Sequence, residues 1–348
     1  MKKIRDKWEN YINEIIRINY KCNWACKFCN VFKTNNFGLK DISSKEVVDK
    51  ILKLTRKYSQ EELNNLILSF SWGEPTLNKN VFLFIKLAKQ IWIWTIQIQT
   101  NWLILYKNKN YINKLIDYWL DEIFLAQHWY DKNINKKMWT YFLEEDFLSW
   151  VNYIIEYKLY KQVKFHFNIV INKINIFHIY NYLIYLRDNR LLDILPIENN
   201  YWFKNTRKIS FGLVQPNWYA EINEKEVVLR YNSNEIIEIK KIINLCEENK
   251  IYPDFHFTAP PLCVLNYPEY NLEYKRLQSI KNDINNNIVS KGNFESYMLL
   301  AKEKQKFVEC KKCIYNDYCL WFYKNWIKIV WKEDIKEKII KKFINNKL

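Results

Sequence analysis

Glycine is nearly missing from this chain, with four residues in 348, where ordinary usage predicts roughly two dozen. A chain of this length needs glycine for left-handed turns, helix ends and close backbone approaches, so other residues must stand in those places. Long apolar runs are also missing. No uninterrupted stretch approaches the ~18–20 residues of a membrane span, and the apolar segment Asn181 to Leu186 is short and broken by tyrosines. No membrane-spanning helix is therefore expected. The opening Met1-Lys2-Lys3-Ile4-Arg5 leads into no apolar signal-peptide core, so the expected location is cytoplasmic. Without a leader, the eight cysteines at 22, 26, 29, 246, 263, 310, 313 and 319 suit metal ligation better than disulfides.

What is present in excess is tryptophan, with fifteen residues. Several stand where glycine is expected. Trp72 precedes Gly73-Glu74-Pro75, Trp102 follows Thr100-Asn101 at a strand end, Trp119 follows a helical stretch, and Trp218 completes a Pro-Asn turn. A UGA codon read as glycine in the cell, but written as tryptophan in translation, would produce this pattern. The positions that read this way are Trp72, Trp92, Trp94, Trp102, Trp119, Trp129, Trp139, Trp150, Trp202, Trp218, Trp321 and Trp331. The opposing reading is a protein that is truly rich in tryptophan.

The formal charge is +16, from 54 basic and 38 acidic residues. Such an excess suits nucleic acid or an anionic surface. Here the lysines are scattered, apart from a concentration over 332–347, and accompany abundant Asn, Ile and Tyr, as an AT-rich gene would encode. Nucleic-acid binding is not the favoured reading.

From residue 14 to 220, apolar runs alternate with amphipathic stretches, the signature of repeated β-α units around a parallel sheet. Strands are expected near Glu14–Asn19, Leu66–Ser71, Thr95–Thr100, Glu122–Gln127, Val163–Val170 and Lys208–Val214. Helices are expected at Lys45–Tyr58, Asn80–Gln90, Lys109–Tyr118 and Leu143–Tyr157, with a further one at Ser233–Asn249. The fold class is α/β, a partial (β/α)6 TIM-type barrel with a smaller cysteine-containing carboxyl-terminal domain. The expected division is an extension at 1–13, a core at 14–220 and the appended domain with its basic tail at 221–348. Functional residues belong at the carboxyl ends of the strands.

Cys22, Cys26 and Cys29 follow the first strand in a C-x3-C-x2-C spacing, with no histidine nearby. Three thiolates can hold three irons of a [4Fe-4S] cube and leave the fourth open. A structural zinc normally takes four protein ligands. With Phe28 before the last cysteine, this segment resembles the cluster motif of the radical S-adenosylmethionine (SAM) superfamily. Ser71 to Leu77 resembles that family's Gly-Gly-Glu-Pro turn, with Trp72 in place of the first glycine, and an indole there would crowd the cofactor. Thr100-Asn101-Trp102 resembles the family's Thr-Asn-Gly strand ending.

The resemblance implies a [4Fe-4S] cluster on Cys22, Cys26 and Cys29, and SAM contacts from Phe28, Gly73, Glu74, Pro75, Thr100, Asn101, Asn168 and Gln215. It also implies reductive SAM cleavage to a 5′-deoxyadenosyl radical that takes hydrogen from a substrate, with electrons from a donor such as flavodoxin or ferredoxin. The strand-four segment carries Ala126 where many relatives have Ser, which leaves Gln127 or His128 as substitutes. Read without the resemblance, His128 simply satisfies a strand end. No residue is singled out as catalytic.

Cys310-Lys311-Lys312-Cys313 and Cys319 form a second group, C-x2-C-x5-C. It resembles the SPASM or twitch extensions of the same superfamily. Tyr323 stands where a full SPASM domain has its next cysteine, so one auxiliary [4Fe-4S] cluster is expected, with Cys263 as fourth ligand. A structural zinc on the same four cysteines remains the alternative. Cys246 reads as a buried, inert thiol. The substrate suggested by the extension is a peptide or protein. A small molecule or RNA is the second enzyme reading, and a zinc-stabilised binding module is the non-enzyme reading.

Overall fold

The computed structural model describes residues 12–29, 42–141, 144–198, 205–216, 219–255 and 260–271. Beyond these it describes 274–275, 302, 304–306, 310–311, 315–317, 319 and 322–330. One sheet dominates. Its strands are β1 (Ile12–Arg17), β2 (Leu66–Ser71), β3 (Thr95–Thr100), β4 (Glu122–Ala126), β5 (Lys164–Ile171), β6 (Ile197–Glu198), β7 (Thr206–Leu213) and β8 (Ile251–Phe255). Strands β1, β2, β3, β4, β5 and β7 lie side by side in that order, all parallel. β8 adds to β7 in parallel and the short β6 pairs antiparallel with it. The arrangement is mixed α/β and consistent with a partial TIM-type barrel.

The helices between the strands follow from amphipathic period and capping. They are α1 (Ser44–Lys57), α2 (Val81–Gln90), α3 (Lys109–Asp117), α4 (Glu144–Glu156), α5 (Ile179–Asp188) and α6 (Ser233–Glu248). Ser43 caps α1 reciprocally with Glu46, and Asn232 caps α6 with Glu235, so each helix start has orphan N–H groups satisfied from its own first turn.

Period-two alternation gives β5 two different faces. Phe165, Phe167, Ile169 and Ile171 are buried, with Phe165 against Trp150 of α4 and Phe167 against Trp102. The opposite, concave face carries Lys164, His166 and Asn168. There His166 stacks on Phe124 and Lys164 pairs with Glu122. On the same face of β7 and β8, the Lys208 Nζ lies 2.7 Å from the Asp254 carboxylate, both buried. Burial pulls the Lys208 pKa down, but Asp254, Glu198 and Glu122 outweigh it and the net direction is up. The charged groups on this face are thus set against partners of opposite charge rather than left alone in an apolar core.

Six expected strands are present within one or two residues of their expected limits. β8 was not among the expected strands, and Pro253 lies within it. Pro253 is tolerated here because β7 is the only strand that β8 pairs with among the described residues, its other edge carrying just the single bridge from Phe255 to Asn271. The sheet therefore continues beyond residue 220, where the change in sequence pattern suggested the start of a second unit.

Candidate functional site

The loop that leaves β1 carries Cys22, Cys26 and Cys29, all of intermediate exposure. It turns back on itself through Cys29 N–H donating to the Cys26 carbonyl. Lys27 is anchored from outside the loop, with Asn223 Nδ2 donating to its carbonyl at 3.2 Å. Lys27 N–H donates to the Met138 carbonyl, and Lys27 Nζ pairs with Glu226 at 2.5 Å. The Cys22 Sγ accepts from the Trp24 N–H at 3.4 Å and from Asn101 Nδ2 at 3.7 Å.

Burial pushes the Cys22 thiol up to about 12, opposed by the Trp24 N–H and reinforced by Glu74 and Cys29. Burial also raises Cys26 well above the ordinary thiol range, with Cys29 and Cys22 adding to the shift. The three sulfurs therefore lie within electrostatic reach of one another, and thiols in such a group become ligands as thiolates when a metal centre supplies positive charge. Among the described residues, no three His, Cys, Asp or Glu side chains converge tightly enough for a single metal ion.

The β2–α2 connection packs directly on this loop. Gly73 has φ +61°, and a Cβ there would lie 2.4 Å from both Asn19 Oδ1 and the Lys21 carbonyl oxygen. Only glycine lets the two backbones approach so closely. Next to it, Glu74 N–H donates to the Lys21 carbonyl at 2.7 Å and Asn19 Nδ2 donates to the Glu74 carbonyl at 2.9 Å. Pro75 opens a buried 3-10 turn, where its missing N–H goes unneeded.

The Glu74 carboxylate is 1% exposed. Its Oε1 accepts from Thr76 N–H at 3.0 Å, Thr76 Oγ1 at 2.6 Å and Thr100 Oγ1 at 2.6 Å, and its Oε2 accepts from Asn101 N–H at 2.7 Å. Burial raises its pKa and these hydrogen bonds oppose the rise. The side chain expected to face a ligand is thus turned into the fold, where it ties the end of β2 to the end of β3. Asn101 completes the link by donating to Asn23 Oδ1 at 2.6 Å as well as to Cys22. Thr100 Oγ1 also accepts from the residue-102 N–H at 2.8 Å.

Phe28 is buried with its ring edge-on to His128, centroids 5.0 Å apart. His128 is buried too, and its Nδ1 accepts from Val170 N–H at 3.0 Å. Burial holds the imidazole pKa down near 3, so the ring is neutral with its proton on Nε2. Asn168 pairs in register with Ala126 and Ser210 on the concave face of β5. Gln215 follows the carboxyl end of β7, half-buried. Gly73, Glu74, Pro75, Thr100, Asn101 and Phe28 are assembled around the cysteine loop, while Asn168 and Gln215 stand on the strands across the sheet. Asn19 and Thr76 were missed by the sequence reading. Asn19 and Thr76 act through contacts that no local pattern encodes.

Cys313 lies outside the described residues, and only the backbone of Cys263 is described, in the turn Leu262–Leu265. Cys310 and Cys319 are of intermediate exposure. Between Cys313 and Cys319, Tyr315 donates its hydroxyl to Asn266 Oδ1 at 2.8 Å, and Asn266 caps the Cys263 turn. Cys246 is fully buried in α6, and burial raises its thiol pKa. No described helix is long and apolar enough to cross a membrane.

Residues 16–183 match the family model described as the Radical SAM superfamily. No curated protein matches the sequence. Among solved structures, SuiB of Streptococcus suis bound to S-adenosylmethionine is similar at 14% identity and a TM-score of 0.56, over 89% of this chain and 72% of that one. In two other SuiB structures the matched part is 49% of that chain. Native anSMEcpe with bound AdoMet and Kp18Cys peptide is similar at 12% identity and a TM-score of 0.56, over 96% of this chain and 99% of that one. At such identities the likeness concerns the fold.

Proposed function

We propose, from the match of residues 16–183 to the Radical SAM superfamily model, that this chain is a radical SAM enzyme that holds a [4Fe-4S] cluster on Cys22, Cys26 and Cys29 and binds SAM at the adjoining strand ends. The observation that carries the reading is the C-x3-C-x2-C loop at the carboxyl end of β1, with the Gly73 turn seated on the Lys21 carbonyl and Asn101 reaching Cys22. When bound, the cluster supplies the electron that splits SAM into methionine and a 5′-deoxyadenosyl radical, which takes hydrogen from the substrate.

The protein's own residues hold and shield. Trp24 N–H and Asn101 Nδ2 donate to the Cys22 sulfur, which favours its thiolate. Glu74 acts as a positioning residue that sets Gly73, Pro75 and Thr100-Asn101 relative to one another. Phe28, backed by neutral His128, gives an apolar wall that keeps water from the radical. Asn168 and Gln215, on or beside the concave face, offer amides to the polar parts of SAM. Cys263, Cys310, Cys313 and Cys319 hold an auxiliary cluster, supported by the Tyr315–Asn266 hydrogen bond that ties the second cysteine group to the Cys263 turn. The substrate proposed is a peptide or protein, supported by the near full-length likeness to anSMEcpe with its bound peptide. A small external reductant such as a flavodoxin or ferredoxin supplies the electron.

The test is anaerobic reconstitution with iron and sulfide. A brown protein that releases 5′-deoxyadenosine only when SAM and a strong reductant are both present supports the reading. The Cys22→Ser, Cys26→Ser and Cys29→Ser variants are expected to abolish that release. A colourless protein, or one that binds zinc and leaves SAM intact, overturns it.

A further inference from the structure

Eleven non-glycine residues among those described have a left-handed backbone, and five of them are tryptophan: Trp72 (φ 75°), Trp92 (66°), Trp102 (51°), Trp119 (64°) and Trp139 (58°). Only ten tryptophans are described at all, so half of them sit in the region that L-residues avoid. The other six are two lysines, an arginine, two asparagines and a tyrosine. Asparagine tolerates this region through its short polar side chain, whereas a bulky aromatic residue there is an outlier, at a penalty of roughly tenfold in the folding equilibrium per residue.

Three of the five occupy the same structural position. After α2, Trp92 N–H donates to the Lys89 carbonyl and Ile93 N–H to the Ala88 carbonyl. After α3, Trp119 N–H donates to Ile116 and Leu120 N–H to Leu115. After the helix Lys132–Met138, Trp139 N–H donates to Lys136 and Thr140 N–H to Asn135. Each is the paired bond of a Schellman helix end, and each tryptophan holds the left-handed place that glycine normally takes. Packing does little to compensate for the backbone: the indoles of residues 92 and 119 are 71% and 58% exposed, and that of residue 139, 46% exposed, touches only Tyr219 and Lys27 among the ring contacts of the described residues.

Trp72 differs in location but not in backbone. It precedes Gly73, which is itself left-handed at φ 61°, and its indole lies over the Arg17 guanidinium, 3.2 Å from the ring centroid. Trp102 shares the backbone, but its indole is enclosed by Phe147, Trp150 and Phe167 and donates to Gln127. Burial offsets the penalty there, and nothing below depends on residue 102.

We infer that the protein as made in its own cell carries glycine at positions 72, 92, 119 and 139, from UGA codons that the cell reads as glycine. Four residues join four existing glycines, and each joins at a place where the backbone requires one. The consequence reaches the site: glycine at 72 takes the indole off Arg17 and exposes a guanidinium at the carboxyl end of β1, beside the Gly73 turn. That consequence rests on the proposed function; the identity of the four residues does not.

Peptide mass spectrometry of the protein purified from its natural source decides the matter without reference to activity. Glycine-containing peptides at all four positions are expected, and tryptophan at any of them overturns the inference. A second measurement uses the chain as written. The variant Trp92→Gly/Trp119→Gly, with both changes at helix ends away from the cysteine loop, is expected to melt a few degrees higher than its parent, roughly 3 °C or more. An unchanged or lower melting temperature overturns the structural basis of the inference.

Discussion

The backbone N–H of Asn101 donates to the Glu74 carboxylate at 2.7 Å across 27 positions of sequence. Through it, the turn after β2, the end of β3 and the cysteine loop become one rigid unit. Glu74 Oε2 holds Asn101, and Asn101 Nδ2 reaches Asn23 and Cys22.

Replacing Glu74 by Gln puts an NH2 group where an oxygen now accepts, so a buried donor faces Asn101 N–H or the Thr76 and Thr100 groups. A stability loss of about 2–3 kcal/mol is expected, with SAM affinity down on the order of tenfold because the positioning fails. Urea unfolding and equilibrium binding measure the two. An unchanged unfolding midpoint would show that the four hydrogen bonds contribute nothing net.

Gly73→Ala tests the close approach. The new Cβ meets two oxygens at 2.4 Å on a backbone at φ +61°, and strain together with overpacking predicts a loss of about 2–4 kcal/mol. Loss of cluster retention should accompany it. A variant as stable as its parent would mean that the loop shifts freely and that the contact with Lys21 is not a constraint.

His128 predicts an acid limb. Its folded pKa is near 3 against an ordinary 6.5, so between those values the unfolded chain binds a proton that the native ring refuses. This contribution is complete above pH 6.5 and is lost as pH falls towards 3, with a slope of at most about 1.4 kcal/mol per pH unit. His128→Asn removes that group, so the stability difference between pH 7 and pH 5 should be smaller in the variant than in the parent. Equal differences would contradict a buried neutral imidazole.

Lys208 and Asp254 form a buried pair at 2.7 Å, with Asp254 only 2% exposed. Lys208→Met takes the cation from beside a buried carboxylate, and a loss of about 3–5 kcal/mol is expected. The double variant Lys208→Met/Asp254→Leu should recover most of it, because no lone charge then remains. If the double variant is as unstable as the single one, the pair is not what holds β7 and β8 together on the concave face.

Much of this was readable in one dimension. Strands at Leu66–Ser71 and Thr95–Thr100 are spelled by short apolar or β-branched runs, helices by their amphipathic period and by caps such as Ser43, and the cysteine loop by its spacing. Those signals are local: each depends on residues within a turn or two of one another, where periodicity maps directly onto exposure. The surplus of tryptophan beside the scarcity of glycine was also visible, but composition alone nominated twelve positions, whereas dihedral angles among the described residues selected five.

What required tertiary structure is every relation that crosses strands. The sequence places Glu74 in a family-like turn. Only the parallel register of β2 and β3 turns its carboxylate inward to Thr100 and Asn101 rather than outward to a ligand. β8, the Lys208–Asp254 pair and the seat of Trp72 on Arg17 likewise depend on which strands become neighbours and how they are shifted. The sequence by itself determined the elements and the chemistry at their ends; the packing of the sheet decided which of those ends meet, because contact between distant residues is set by register and crossover rather than by any pattern within a single segment.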